Sequence, residues 1–248
     1  MKVSIITITY NSADTVEATL RSVAAQTYPD IEHILVDGLS TDGTQTLLQH
    51  YRADNANVQY ISEPDCGIYD ALNKGLRYAT GDIIGILNSD DVLASPEVIA
   101  DIVRLFQSDV HPQVVYGDLL YCRGDEVVRY WRSNVYSPQS LKYGWMPPHP
   151  TFYCLREVYA QQGGYDKRFR ISADYDFMLR VFRSGYRTAY LPQVLVKMSV
   201  GGVSNRNLRM LLRKSHEDLL ALRKNKVGAG WLTIFIKNVR KCKQFFRR

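Results

Sequence analysis

Cysteine is scarce and unpaired in this 248-residue chain: Cys66, Cys122, Cys154 and Cys242 form no Cys-x-x-Cys. Neither a zinc site nor a disulfide framework is indicated, and a reducing cytoplasm fits. No apolar run approaches the roughly 20 residues that cross a bilayer. Residues 3–9 after Met1-Lys2 are too short and too quickly polar for a secretory leader. Gly-x-Gly-x-x-Gly does not follow the first strand-like run, and no Gly-x-x-x-x-Gly-Lys-Ser/Thr occurs. A dinucleotide fingerprint and a P-loop are therefore both without support. No nucleic-acid-binding motif is present either.

What remains is 46% hydrophobic and 23% charged, ordinary for a globular chain that buries a sizeable core. The net charge of +6 hides an asymmetry. Residues 205–248 hold 13 Lys+Arg and 2 Asp+Glu, whereas residues 1–204 hold 18 and 23. A mildly acidic body carries a strongly basic end.

In the body, β-branched runs at residues 2–9, 32–36, 58–61 and 83–87 alternate with helical patterns ending near 24, 52 and 78. That alternation predicts βαβ units and a parallel sheet. Asp14 and Glu17 have the spacing of a capping box for the first helix. After a helix at about 96–107 the pattern changes. Residues 114–121 and 127–131 read as a hairpin around Arg123-Gly124-Asp125, and 151–154 as a short strand. Helices follow at 156–162 and 174–182, with strands at 186–191 and 194–198, and Gly201-Gly202-Val203-Ser204 closes the body.

Acidic or amide residues recur where strands end: Asn11, Asp37, Glu63 or Asp65, and Asn88 to Asp91. Ligands of open α/β sheets bind at the carboxyl ends of strands. Adjacent carboxylates such as Asp90 and Asp91 repel unless a cation or ligand joins them. Hard cations reach proteins through one or two carboxylates plus substrate phosphates. The pattern points to a metal–diphosphate site for Mg²⁺ or Mn²⁺; the plainer reading is a helix cap beside a solvated Asp. Asp174 is expected in the first turn of a helix, where the helix dipole favours a carboxylate.

Five stretches in this order resemble the family 2 glycosyltransferases, inverting enzymes of the GT-A fold, and among them bacterial exopolysaccharide and O-antigen types. They are residues 3–11 (Val-Ser-Ile-Ile-Thr-Ile-Thr-Tyr-Asn), 36–44 (Val-Asp-Gly-Leu-Ser-Thr-Asp-Gly-Thr), 71–75 (Ala-Leu-Asn-Lys-Gly), 87–91 (Leu-Asn-Ser-Asp-Asp), and 163–166 (Gly-Gly-Tyr-Asp) followed by 173–176 (Ala-Asp-Tyr-Asp). The resemblance implies a Rossmann-like, mainly parallel mixed α/β sheet flanked by helices. Residues 1–204 would form the transferase domain, with 1–110 the nucleotide-sugar half and 111–204 the acceptor half. Residues 205–248 would be a basic helical extension.

The resemblance also implies roles. Thr9 and Asn11 line the nucleotide pocket, Asp37 accepts a hydrogen bond from the base, favouring a UDP-sugar, and Asp65 lies nearby. Asn88 sits near the ribose, Asp90 and Asp91 hold the metal, and Asp174 is the catalytic base. Asn88 and Ala173 stand where the family usually has acidic residues. His149 is a candidate contact to acceptor or diphosphate, and Trp145 and Tyr143 either stack on sugar or pack.

Trp231, Phe235, Val239, Cys242 and Phe246 share a helical stripe beside Leu232, amid Lys237, Arg240, Lys241, Lys243, Arg247 and Arg248. Such a helix either lies in an anionic membrane surface or docks on the body. The expectation is a metal-dependent transferase acting on a glycan or lipid-linked acceptor at the inner face of the cell membrane. A nucleotidyltransferase and a catalytically inactive nucleotide-sugar-binding protein are the alternatives. The first generally wants basic residues after the first strand, which residues 10–14 lack.

Overall fold

The computed structural model of the chain describes residues 1–200 and 208–242. The β-branched runs form the expected βαβ units. Strands β1 (Val3–Thr9), β2 (Ile31–Asp37), β3 (Val58–Ser62) and β4 (Ile83–Ile86) lie parallel in the order β3-β2-β1-β4. Helices α1 (Val16–Ala24), α2 (Thr44–Asp54) and α3 (Ile68–Tyr78) connect them. Thr9 pairs with Asp37 and Asp37 with Ser62, so these carboxyl ends share one edge.

Side-chain alternation along the strands divides the core between two faces. Ile6, Ile34, Ile84 and Ile86 pack with Leu72 of α3. Ile5, Ile83 and Leu87 turn the other way, toward Ile99, Ile102 and Phe106 of α4 (Val98–Phe106). Gly75 permits the close approach of α3 to β1, because a β-carbon there would collide with Ile6.

The second half continues the same sheet. Short β8 (Tyr153–Leu155) runs antiparallel to both β4 and β6 (Val114–Arg123) and joins the halves. The hairpin partner of β6 is β7 (Glu126–Trp131), and β9 (Thr188–Ser199) runs parallel to β6. Among the described residues the sheet has nine strands, in the order β3-β2-β1-β4-β8-β6-β9-β5, where β5 is Asp91–Leu93, with β7 on β6. Helices α5 (Arg156–Gln162), α6 (Ala173–Arg183), α7 (Leu208–Lys224) and α8 (Trp231–Cys242) complete the layers. The architecture is the mixed, mainly parallel α/β sheet flanked by helices that the sequence implies.

Three local expectations are corrected, and one strand was not foreseen. The strands at 186–191 and 194–198 are one strand, β9. Between the pairs Tyr116–Tyr190 and Asp118–Val194, residues 191–193 oppose the single residue Gly117. This bulge absorbs Pro192, which has no N–H for the ladder. Strand β5 (Asp91–Leu93), antiparallel to β9, is too short for periodicity to reveal. Thr151 belongs to a 3₁₀ turn, His149–Thr151, and β8 begins only at Tyr153. The capping box does not form: α1 has no side-chain cap, and Glu17 pairs instead with Arg21. The closing residues Gly201 to Ser204 lie outside the described residues.

Candidate active site

The loops after β1 and β2 are laced together by the residues expected to touch a nucleotide. Asp37 is fully buried. Its Oδ1 accepts from Thr9 Oγ1 at 3.0 Å and Ser40 Oγ at 2.5 Å; its Oδ2 accepts from Ser40 N and Ser62 Oγ, each at 3.0 Å. Asn11 Oδ1 accepts the Thr41 N–H, while the Asn11 N–H donates to Ser40 Oγ. Thr9 and Asp37 are thus tied to each other and to the β2 loop, which fixes the floor of the strand edge where a nucleotide is expected. A polar loop at a strand end needs acceptors for its own N–H groups, and the nearest carboxylate is consumed by them. Asp65 lies beside Gly38 of the loop after β2. A β-carbon on Gly38 would collide with its carboxylate, and the exposed Tyr10 ring flanks the same spot.

The strand β4 delivers Asn88, Asp90 and Asp91 to the adjacent edge. Asp91 is 0% exposed. Its Oδ2 accepts from Asn88 Nδ2 at 2.8 Å, and its Oδ1 has no hydrogen-bond partner. Burial, and then the charge of Asp90, push the Asp91 carboxyl well above the usual range against the Asn88 bond. Burial also raises Asp90. Asn88 thus orients the Asp91 carboxylate. An orphaned carboxylate oxygen beside a second carboxylate is the donor set a hard divalent cation suits. Among the described residues no group of three or more His, Cys, Asp or Glu side chains gathers. The described residues offer a cation these two carboxylates.

Asp174 enters from the other half, in the first turn of α6. Tyr69 of α3, 105 residues earlier, donates to its Oδ1 at 3.0 Å and reaches the Ile171 carbonyl at 2.6 Å. Tyr69 in turn stacks on Tyr165, with ring centroids 5.8 Å apart. Tyr121 of β6 feels the charge of both acidic centres. Burial raises its hydroxyl pKa, Arg129 lowers it, and the charges of Asp91 and Asp174 both raise it. The Arg129 guanidinium lies 4.7 Å from the Tyr121 ring centroid.

Sequence and structure comparisons decide which family this arrangement belongs to. Residues 4–183 match the model of "Glycosyl transferase family 2". The chain belongs to that family. A PGL/p-HBAD biosynthesis glycosyltransferase of Mycobacterium bovis is 31% identical over 206 residues, 82% of this chain and 78% of the relative. S. aureus TarS, solved with UDP-GlcNAc, superposes with a TM-score of 0.72 at 19% identity over 91% of this chain. This chain spans 65% of that TarS chain. The mannosyltransferase PcManGT of Pyrobaculum calidifontis, solved with GDP-Man and Mn²⁺, gives 0.69 at 22% identity, covering 97% of this chain and 69% of its own. Both are likenesses of fold.

Two remaining candidates of this family 2 chain are repositioned by the structure. Trp145 is buried among Tyr116, Tyr136 and Phe182, and its Nε1 donates to the Ser133 carbonyl at 2.6 Å. It packs and cannot stack on a sugar. His149 feels the charge of Asp174, but burial pushes its pKa down and its Nε2 bonds the Tyr165 hydroxyl at 2.8 Å. It supports the Tyr165–Tyr69 stack behind Asp174.

The residues that sequence reasoning missed come largely from α7. Glu217 Oε2 accepts the N–H groups of Arg170, Ile171 and Ser172 at 2.8–3.1 Å, just ahead of α6. Ser172 Oγ donates to Asp218, which also accepts from Lys237 of α8. Glu217 and Asp218 are the only two acids in residues 205–248. In so basic a segment, that isolation was the available signal. Nothing in the sequence signalled Tyr69.

Proposed function

We propose that this chain transfers a sugar from a nucleoside-diphosphate sugar to an acceptor hydroxyl, with inversion at the anomeric carbon. The observation that carries this reading is the buried Asp91, its Oδ1 orphaned just after β4, in a family 2 chain whose Asp174 is held by Tyr69 at the start of α6. The acceptor oxygen attacks the anomeric carbon in line and forms the new C–O bond. The bond to the diphosphate breaks, and the nucleoside diphosphate leaves with its electron pair. Asp174 takes the acceptor proton, and the Tyr69 hydrogen bond sets the direction of its carboxylate. Asp90 and Asp91 would hold a divalent cation, which neutralises charge on the leaving diphosphate. The Mn²⁺ of PcManGT supports that cation, and the ligands of TarS and PcManGT support a nucleotide-sugar donor. The UDP-GlcNAc of TarS and the family role of Asp37 support uridine as the nucleoside.

The acceptor we propose is a glycan carried on a lipid at the inner face of the cell membrane. Among the described residues no helix is long and apolar enough to cross a bilayer, and the basic extension would hold the protein at the surface.

Replacing either Asp90 or Asp91 with Ala should weaken Mn²⁺-dependent donor binding at least about tenfold, as loss of one of two cation ligands implies. Calorimetric titration of nucleotide-sugars with and without a chelator measures this. Donor affinity insensitive to both changes and to the chelator would count against the cation site.

A further inference from the structure

Helix α8 has one face against the body and an apolar face turned outward. Thr233, Ile234 and Lys237 face the body, where Lys237 pairs with Asp218 at 2.8 Å. Trp231, Leu232, Phe235 and Val239 point outward at 58%, 58%, 66% and 47% exposure. The two sequence readings of this helix, docking on the body and apolar stripe turned outward, thus hold together on opposite faces. The sequence stripe also includes Cys242 and Phe246; Phe246 lies outside the described residues.

Beside α8, a cavity of about 380 Å³ opens between the 3₁₀ turn Ser140–Tyr143 and the turn joining α7 to α8. Lys142, Lys226, Tyr143 and Leu232 line it. Tyr143 is itself exposed, so the apolar surface continues past α8. Thr233 Oγ1 donates to the Lys142 carbonyl and fixes this turn against the helix.

Charge selects the occupant. Both acids of residues 205–248, Glu217 and Asp218, are buried toward the body. Among the described residues the extension therefore shows apolar and cationic side chains outward and no carboxylate side chain. A second copy would bring the same cationic face and be repelled. An anionic lipid surface accepts both components at once: acyl chains take the aromatic and aliphatic side chains, and headgroup phosphates take the lysines.

We infer that this face, Trp231, Leu232, Phe235 and Val239 with the Lys142–Lys226 cavity, docks on an anionic phospholipid surface, the cavity taking a headgroup phosphate. The inference deepens the membrane placement proposed above and is independent of the transfer chemistry. Lys237–Asp218–Ser172 hydrogen bonds tie the docked helix to the residue just before α6, which carries Asp174.

Co-sedimentation of the full chain with vesicles of phosphatidylcholine plus phosphatidylglycerol, and of phosphatidylcholine alone, tests it. The chain should pellet with the anionic vesicles. Trp231→Ser with Phe235→Ser should lower its partition at least about tenfold, given the apolar area withdrawn. Lys142→Glu with Lys226→Glu should lower it on anionic vesicles by a similar factor. Thermal melting of both double variants should match the parent, because the altered side chains are at the surface. The inference is overturned if the parent stays in solution, if either variant binds like the parent, or if light scattering shows a parent dimer that Phe235→Ser dissociates. Donor titration on the same preparations separates the two readings. Vesicle binding without donor binding would sink the transferase reading alone, and donor binding without vesicle binding the docking face alone.

Discussion

Asp174→Asn should lower sugar transfer by roughly 10²–10⁴-fold, the contribution of a positioned general base, while donor affinity stays within a few-fold. The amide can still accept the Tyr69 hydroxyl bond that holds this side chain, so the helix and its neighbours have no reason to move. What is lost is the oxygen that takes a proton. Parallel measurement of transfer rate, donor affinity and thermal midpoint distinguishes this from unfolding. Turnover equal to the parent would remove Asp174 from the mechanism.

Two residues further along the same turn, the opposite result is expected. Asp176 is fully buried and accepts from Arg180 Nε at 3.1 Å, Lys224 Nζ at 2.9 Å and Asn225 Nδ2 at 2.8 Å. It clamps α6 to the end of α7, and Lys224 also pairs with Asp166 at 2.8 Å. Removing one partner of a buried pair strands the others, at about 3 kcal/mol or more. For a domain of this size that corresponds to a fall of roughly 6–12 °C in thermal midpoint. Asp176→Ala should therefore be much less stable in urea or thermal unfolding. Its transfer rate per folded molecule should remain within a few-fold of the parent, since Asp176 exposes nothing to substrate. A stable but inactive Asp176→Ala would reverse the roles assigned to these two acids.

That contrast shows where the sequence was readable. The strands were legible because four β-branched runs are bounded by turn residues, and β1 to β4 form where those runs stand. Asp90, Asp91 and Asp174 were legible as positions, at a strand end and a helix start. Orientation was not. Spacing cannot tell whether a carboxylate at a strand end faces a ligand or its own loop, and Asp37 faces its loop. An aromatic residue among prolines looks the same whether it stacks on sugar or fills a core, and Trp145 fills the core. The role of α7 was obscured by reading residues 205–248 through their positive charge, when their two acids carry the contacts that set the start of α6. Contacts such as Tyr69 to Asp174 depend on the finished sheet and leave no local trace.

The central claim is that the two acidic centres form a cation-dependent nucleotide-sugar site. Thermal midpoints of the purified chain against a panel of UDP-, GDP- and dTDP-sugars, with Mn²⁺ and then with chelator, test it most directly. A donor at about 100 times its dissociation constant adds about 2.7 kcal/mol to stability, or roughly 5–10 °C at this chain length. The account predicts such a shift for at least one donor with Mn²⁺, and its loss on chelation. No shift with any nucleotide-sugar, or a shift of the same size in chelator, would contradict it.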